Sequence, residues 1–183
     1  MTNHPGSVHE VDVPTSRLRT RVRDTGPVPG QVGTLICLHG NSSSSAFFHR
    51  LLHTLPPGWR GIAPDLRGYG ETEAATLDAT RGMRDFADDV VALMDALEIE
   101  RAAFLGHSAG GGVVMQLAID HPHRVAQVLL EAPASPYGFG GTSDVNGTPV
   151  WPITSAPAGA RPTRTSPRPS PRGTAAAITP TRR

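Results

Sequence analysis

The 183-residue sequence has no lysine, only one cysteine and no long hydrophobic run. Its single cysteine, Cys37, has no partner, so an internal disulfide is excluded, and a lone thiol in an apolar run is typical of a small buried residue in a reducing compartment. No apolar stretch reaches the roughly 18 residues of a membrane helix, and no charged start precedes a hydrophobic segment of signal-peptide length. These absences predict a soluble, cytoplasmic protein.

The charges are distributed unevenly along the chain. Residues 1–151 contain 11 arginines and all 16 acidic residues, a net charge of −5, whereas residues 152–183 contain 6 arginines, 7 prolines and no acid. The C-terminal part has only Ile153 and Ile178 as large aliphatic residues, too few to offset the entropy lost on ordering. Residues 152–183 are therefore predicted to be a disordered tail, and without lysine or interleaved aromatic residues they do not indicate nucleic-acid binding.

A strand, a tight turn and a helix are predicted around Ser108. Residues 102–112 read AAFLGHSAGGG, in which an apolar run ends in a G-x-S-x-G motif and continues into an amphipathic segment. Side chains two residues before or after a serine on such a bend would collide with the neighbouring strand or helix, and Gly106 and Gly110 remove that collision. The turn would expose the hydroxyl beside the first N–H groups of the helix, but the hydroxyl stays a weak nucleophile until a base takes its proton.

Hydrophobic patterning predicts the remaining elements. Residues 8–13 and 18–23 alternate in the manner of an antiparallel hairpin with one solvent-facing side. Continuous apolar runs, typical of strands buried on both faces of a parallel sheet, occur at residues 34–38, 59–63, 102–106 and 126–131. Helical spacing occurs at residues 47–55, 83–97 and 109–120. This order predicts an α/β fold with a mainly parallel, doubly wound sheet and an antiparallel N-terminal hairpin.

Three motifs in this order resemble the α/β-hydrolase superfamily. His39-Gly40-Asn41 follows the first buried strand, the DLRGYG sequence of residues 65–70 follows the second, and the G-x-S-x-G motif follows the third. The resemblance covers residues 8–151 and is to lone-domain members related to proline iminopeptidases, epoxide hydrolases and esterases. It implies a small-molecule acyl substrate and a reaction without a cofactor or a metal.

The resemblance also implies roles for individual residues. Ser108 would be the nucleophile, and the backbone N–H groups of Ala109 and Asn41 would bind the oxyanion. Gly40 would allow the backbone to approach the reacting carbonyl. A serine at the turn, in place of an aspartate, favours acyl transfer to water over epoxide hydrolase or dehalogenase chemistry. The neighbouring polar residues of the DLRGYG sequence are interpreted mainly as braces of the loop.

The sequence departs from the superfamily at the triad base. The superfamily order is serine, acid and then a histidine far downstream, but the only histidines after Ser108 are His121 and His123. Both follow the predicted helix at a distance of roughly 20 Å from the serine, so no catalytic histidine is found. Glu131, at the end of the strand after that helix, occupies a position that some relatives use for the triad acid. The other histidines are interpreted as structural or exposed.

The sequence predicts three segments along the chain and leaves two classes of function open. Residues 1–134 are predicted to form a hydrolase core with strands 1 to 6, residues 135–151 the start of a cap region, and residues 152–183 the tail. The last strands of the superfamily are expected to be missing, and the abrupt change near Trp151 raises the hypothesis of out-of-frame translation. The chain is then either a serine hydrolase or a catalytically incomplete remnant or interaction protein. Without a following strand, residues 126–131 are expected to be exposed and to allow self-association.

Overall fold

A computed structural model describes residues 7–78 and 81–134, which form a six-stranded sheet with helices on both faces. The strands are β1 (His9–Pro14), β2 (Arg19–Asp24), β3 (Gly33–Leu38), β4 (Trp59–Pro64), β5 (Ala102–His107) and β6 (Val125–Glu131). The helices are α1 (His49–Leu52), α2 (Arg84–Ala96) and α3 (Ala109–Asp120), with short 3₁₀ helices at Ser45–Phe48 and Pro122–Arg124. The predicted cap start and tail, residues 135–151 and 152–183, lie outside the described residues.

The sheet is mainly parallel, as the sequence predicts. Its strand order is β1-β2-β4-β3-β5-β6. β1 and β2 form the antiparallel hairpin and β2 joins β4 antiparallel, while β4, β3, β5 and β6 run parallel to one another. Because parallel strands end at one edge of the sheet, the segments after β3, β4, β5 and β6 all meet there. The fold class is therefore confirmed, and the three motifs lie at the same edge.

The side chains of β3 show why helices cover both faces of the sheet. Ile36 and Leu38 pack into a core with α2 and α3, whereas Leu35 and Cys37 pack into a second core with α1. Successive residues of a strand point to opposite faces, so a continuous apolar run needs cover on both sides. Burial raises the pKa of the Cys37 thiol to about 12, which keeps it protonated and inert, as expected of a buried hydrophobic residue.

The helix predicted at residues 47–55 is shorter and less regular than its spacing indicates. Ser44 caps a 3₁₀ helix at Ser45–Phe48 by accepting a hydrogen bond from the Ala46 N–H, and α1 adds a single turn. Thr54 then donates from both its N–H and its hydroxyl to the carbonyl oxygen of Leu51, which ends the helix before Pro56. The prediction for this segment was wrong in extent because side-chain and turn hydrogen bonds compete with helical ones.

The apolar run of β6 is typical of a buried strand, but in the part of the chain that the structure describes the strand is exposed, as expected from the sequence. Val128, Leu129 and Leu130 are between 42% and 45% exposed, and within residues 7–78 and 81–134 the strand pairs only with β5. Consecutive side chains alternate between the two faces, so apolar surface is exposed on both. None of the helices within these ranges is long and apolar enough to cross a membrane.

Candidate active site

Ser108 lies at the joint between β5 and α3 in a backbone conformation that non-glycine residues rarely adopt. Its φ is 51° and its ψ is −117°. Four backbone hydrogen bonds hold it there: its N–H donates to the carbonyl of Glu131 at 3.0 Å, and its carbonyl accepts from the N–H groups of Gly111 at 3.0 Å, Gly112 at 3.4 Å and Ala134 at 2.7 Å. Such strain persists only where the surrounding structure over-determines it. Ser108 therefore has neither the backbone conformation of β5 before it nor that of α3 after it.

Two glycines allow the bend. A Cβ atom on Gly106 would lie 2.6 Å from the carbonyl oxygen of Gly110 in α3, and one on Gly110 would lie 2.1 Å from the carbonyl oxygen of Leu38 in β3. Real Cβ atoms do not approach so closely. The collisions expected from the sequence are therefore present, one with the helix and the other with the neighbouring strand.

Gly40 brings the loop after β3 against the serine. A Cβ atom on Gly40 would lie 2.9 Å from the Cβ of Ser108 and 3.0 Å from Nδ1 of His107. The backbone that leads to Asn41 therefore passes directly beside the nucleophile candidate. Ala109 begins α3, and the first N–H groups of a helix have no acceptor within the helix. Backbone from two segments, at Gly40 and at the start of α3, thus adjoins Ser108.

His39 fixes that loop and is not available as a base. Its Nε2 accepts a hydrogen bond from the Leu66 N–H at 3.0 Å, so Nδ1 must carry the proton that it donates to the Gly40 carbonyl oxygen at 2.8 Å. Burial lowers the pKa of His39, against the opposing effects of the Gly40 hydrogen bond and of Asp65. The ring is therefore neutral and both of its nitrogens are occupied.

The DLRGYG segment supports the same loop. Asp65 accepts hydrogen bonds from the N–H groups of Ser45 at 2.7 Å and Glu71 at 2.9 Å. The Tyr69 hydroxyl donates to Oδ1 of Asn41 at 2.6 Å. These contacts join the segment after β4 to the segment after β3. Asp65 acts as a brace, while the Tyr69 contact to Asn41 was missed because no periodicity relates residues 28 positions apart.

The histidines of the described segments contact groups other than the serine. The His107 ring stacks on Phe47 at 4.8 Å between ring centroids, and its buried Nδ1 has no hydrogen-bond partner. His121 Nε2 lies 3.4 Å from Asp88 Oδ1, and the ring of His49 in α1 contacts the ring of His53, which directly follows that helix. Within residues 7–78 and 81–134, no histidine ring is hydrogen-bonded to Ser108, and no group of three or more metal-ligating side chains is assembled.

Glu131 is adjacent to the serine through its backbone. It ends β6, is paired with His107 of β5, and its carbonyl oxygen accepts the Ser108 N–H. Its side chain is exposed. Facing residues of paired parallel strands share a side of the sheet, so the carboxylate lies on the same side as the His107 ring. Its role as a triad acid stays a prediction, whereas its backbone contact is a feature that sequence reasoning did not identify.

Comparisons with known proteins place this geometry in context. The family described as the alpha/beta hydrolase fold matches residues 33–152. The magnesium-chelatase 30 kDa subunit of Rhodobacter capsulatus is 40% identical over 101 residues, which cover 55% of this chain and 34% of the relative. The 2-hydroxymuconate semialdehyde hydrolase of a Pseudomonas species is 34% identical over 134 residues, which cover 70% of this chain and 45% of the relative.

A solved structure shows the same arrangement of the core. An epoxide hydrolase mutant from Vigna radiata superposes with a TM-score of 0.60 at 26% identity, over 67% of this chain and 38% of that one. The chain thus spans less than half the length of the relatives that it matches here.

Proposed function

Because the chain belongs to the alpha/beta hydrolase fold family, we propose that it is a serine hydrolase that transfers the acyl group of a small ester or amide to water through Ser108. Two of the relatives reported above are named as hydrolases, the 2-hydroxymuconate semialdehyde hydrolase and the epoxide hydrolase. The serine in the bend is the argument for acyl transfer, since its hydroxyl can form an ester with an acyl group that water then releases.

The Ser108 hydroxyl, which does not cap the helix that it precedes, is the observation that carries this proposal. Serine is among the preferred residues at the position before a helix because its hydroxyl usually accepts a backbone N–H of the first turn. Ser108 occupies that position before α3 and makes no such side-chain hydrogen bond. A purely structural serine would not need a positive φ, while a nucleophile needs its hydroxyl lifted out of the helix.

In the proposed reaction, backbone N–H groups stabilise the negative charge that develops on the substrate. The Ser108 Oγ attacks the carbonyl carbon, and the negative charge that develops on the carbonyl oxygen is bound by the N–H groups of Ala109 and Asn41. One such donor contributes about 2.7 to 4 kcal/mol to the barrier reduction in well-studied hydrolases. Gly40 matters here because a side chain would occupy the space beside the Ser108 Cβ.

A second candidate is a catalytically incomplete or non-enzymatic interaction protein. Its support is that no histidine ring in the described segments is hydrogen-bonded to Ser108 and that the 183-residue sequence has no histidine after His123. Loss of the base costs about 10⁶ in kcat in well-studied cases and leaves roughly 10³ to 10⁴ over water. Ester turnover by this chain is then expected to be close to background.

Labelling with a fluorophosphonate tests both candidates. The full chain is compared with Ser108→Ala and with Ser16→Ala, an exposed serine in the turn between β1 and β2. Labelling that is lost only in Ser108→Ala supports the hydrolase. No labelling of the full chain would favour the second candidate. A kcat above about 1 s⁻¹ on an aryl ester, abolished by Ser108→Ala, would refute catalytic incompleteness, since typical enzymes start at that value.

A further inference from the structure

A small cavity opens beside both backbone positions of the proposed oxyanion hole. Its volume is about 50 Å³, and Gly40 and Ala109 form part of its lining. The remaining lining within the described ranges comes from four apolar side chains, which are those of Leu66, Met83, Phe86 and Val113, and from Asn41 and Tyr69. A carbonyl held by the two N–H donors would therefore have this space next to it.

The lining selects for an uncharged, apolar group. No charged side chain contributes to the described lining, and the two polar side chains are paired, because the Tyr69 hydroxyl donates to Asn41 Oδ1 at 2.6 Å. A polar or charged group placed against the four apolar side chains would lose its water contacts without a replacement, at a cost of several kcal/mol for a charge. A hydrocarbon chain meets no such penalty.

The volume sets the length of that chain. An engineered cavity of about 150 Å³ accommodates benzene, so a cavity of about 50 Å³ holds roughly two or three carbon atoms. We propose that this cavity is the acyl-binding pocket and that it takes short, unbranched, uncharged acyl groups, from acetyl to butyryl. The proposal rests on the proposed hydrolase function and adds the class of acyl group to it.

The acylation half-reaction provides a direct test. With a p-nitrophenyl ester, Ser108 Oγ bonds to the acyl carbon, the bond from that carbon to the phenol oxygen breaks, and p-nitrophenolate leaves with the electron pair. The serine proton passes to water or buffer. The acyl group stays on Ser108 until a water molecule displaces it, so acylation is measurable even where deacylation is slow.

The experiment compares p-nitrophenyl acetate, butyrate and octanoate on the full chain. The rate of p-nitrophenolate release and the mass of the acylated protein are measured, with Ser108→Ala as the blank. Acetyl and butyryl transfer are expected to exceed octanoyl transfer by about tenfold or more, since each methylene that does not fit an apolar pocket changes rates by roughly 10- to 200-fold. Equal rates for acetate and octanoate would overturn the pocket assignment.

Matched variants separate pocket shape from general damage. Phe86 and Leu97 are both partly buried and pack against the same core, but only Phe86 lines the cavity. Phe86→Ala is expected to raise the octanoate-to-acetate rate ratio about tenfold, and Leu97→Ala to leave it unchanged. The ratio is internal to each variant, so a lower folded fraction cancels. Met83→Ala removes a second lining side chain and is used if Phe86→Ala does not fold.

The outcomes distinguish this proposal from the one on which it depends. Acylation of Ser108 without any preference for chain length, or an unchanged ratio in both lining variants, overturns the pocket and leaves the hydrolase proposal standing. Absence of acylation by every ester, the acetate included, overturns both.

Discussion

The Nε2 atom of His39 accepts a hydrogen bond from the backbone N–H of Leu66, and this contact joins the loop after β3 to the loop after β4. A histidine can accept at Nε2 only while that nitrogen lacks a proton. The position of the loop that carries Gly40 and Asn41 is therefore linked to the protonation of one buried ring. The direction in which stability changes with pH can therefore be predicted and measured.

Stability is expected to fall on acidification because of His39. Burial lowers its pKa in the folded protein below the ordinary value of 6.5, so the unfolded chain binds the proton more readily. The contribution of the neutral ring is fully present above pH 6.5 and is lost as the pH falls from there towards the folded-state pKa. Denaturant unfolding at a series of pH values is expected to show this slope.

Two histidine variants isolate that effect. His39→Asn is expected to reduce the dependence of the unfolding free energy on pH below 6.5, whereas His49→Asn, at an exposed position, is expected to leave it unchanged. An identical pH slope in wild type and His39→Asn would contradict the assignment of the neutral ring.

Gly110→Ala is expected to destabilise the fold. The added methyl group would lie 2.1 Å from the Leu38 carbonyl oxygen, so α3 or β3 would have to shift at a cost of about 2 kcal/mol or more. Gly112→Ala is the control on the same helix, because its nearest atom would be 3.2 Å away and alanine favours a helix by up to about 1 kcal/mol. The free energy of unfolding of Gly110→Ala, measured by chemical denaturation, is expected to be well below that of Gly112→Ala. Similar free energies for the two variants would refute the close contact.

Asp89→Asn is expected to cost about 3 kcal/mol of unfolding free energy, since it leaves the buried Arg67 guanidinium without its charged partner. Asp89 accepts from Arg67 Nε at 2.7 Å and from Nη2 at 2.6 Å, and both side chains are buried. Asp95→Asn on the same helix removes a pair with Arg124 whose carboxylate is exposed to solvent, and it is expected to change stability by about 0.5 kcal/mol or less. Equal losses in the two variants, measured by denaturant unfolding, would contradict a dominant buried pair.

We expect the 183-residue chain to self-associate through β6. An apolar strand with an open edge can pair with a strand of another chain, and β6 exposes Val128, Leu129 and Leu130. The chain should elute from size exclusion ahead of a 19.3 kDa monomer and bind a hydrophobic dye. Leu129→Lys should shift it towards the monomer, and Val32→Lys, at a position 72% exposed in a loop, should not. A compact wild-type monomer with a sharp cooperative melt would refute this expectation.

The sequence predicts the elements whose pattern comes from burial. The apolar run of β3 indicates a strand covered on both faces, and Leu35 and Ile36 do face opposite cores. The helical spacing of apolar residues in α2 and the small residues around Ser108 are equally local signals. Each of these features depends on neighbours in the chain, so it can be derived before any tertiary contact is known.

The details of the candidate site depend on contacts between distant segments. The hydrogen bond from Tyr69 to Asn41 and the one from Leu66 to His39 join loops that lie 28 and 27 residues apart. Neither contact produces a repeating pattern in the sequence, because a loop residue contacts one particular partner and does not belong to a regularly spaced face of a helix or strand. The apolar run of Val128 to Leu130 has the same pattern whether or not another segment covers it, so the expected exposure of β6 could not be derived from periodicity alone.

The contact between Gly110 and Leu38 has a mechanical consequence. With no side chain between them, the spacing of α3 and β3 is set by the size of backbone atoms, and no rotamer change can alter it. Ser108 lies two residues before Gly110, and Gly40 lies two residues after Leu38. We therefore expect the serine and the loop beside it to move as one unit, so that the gap between them changes less than their positions do.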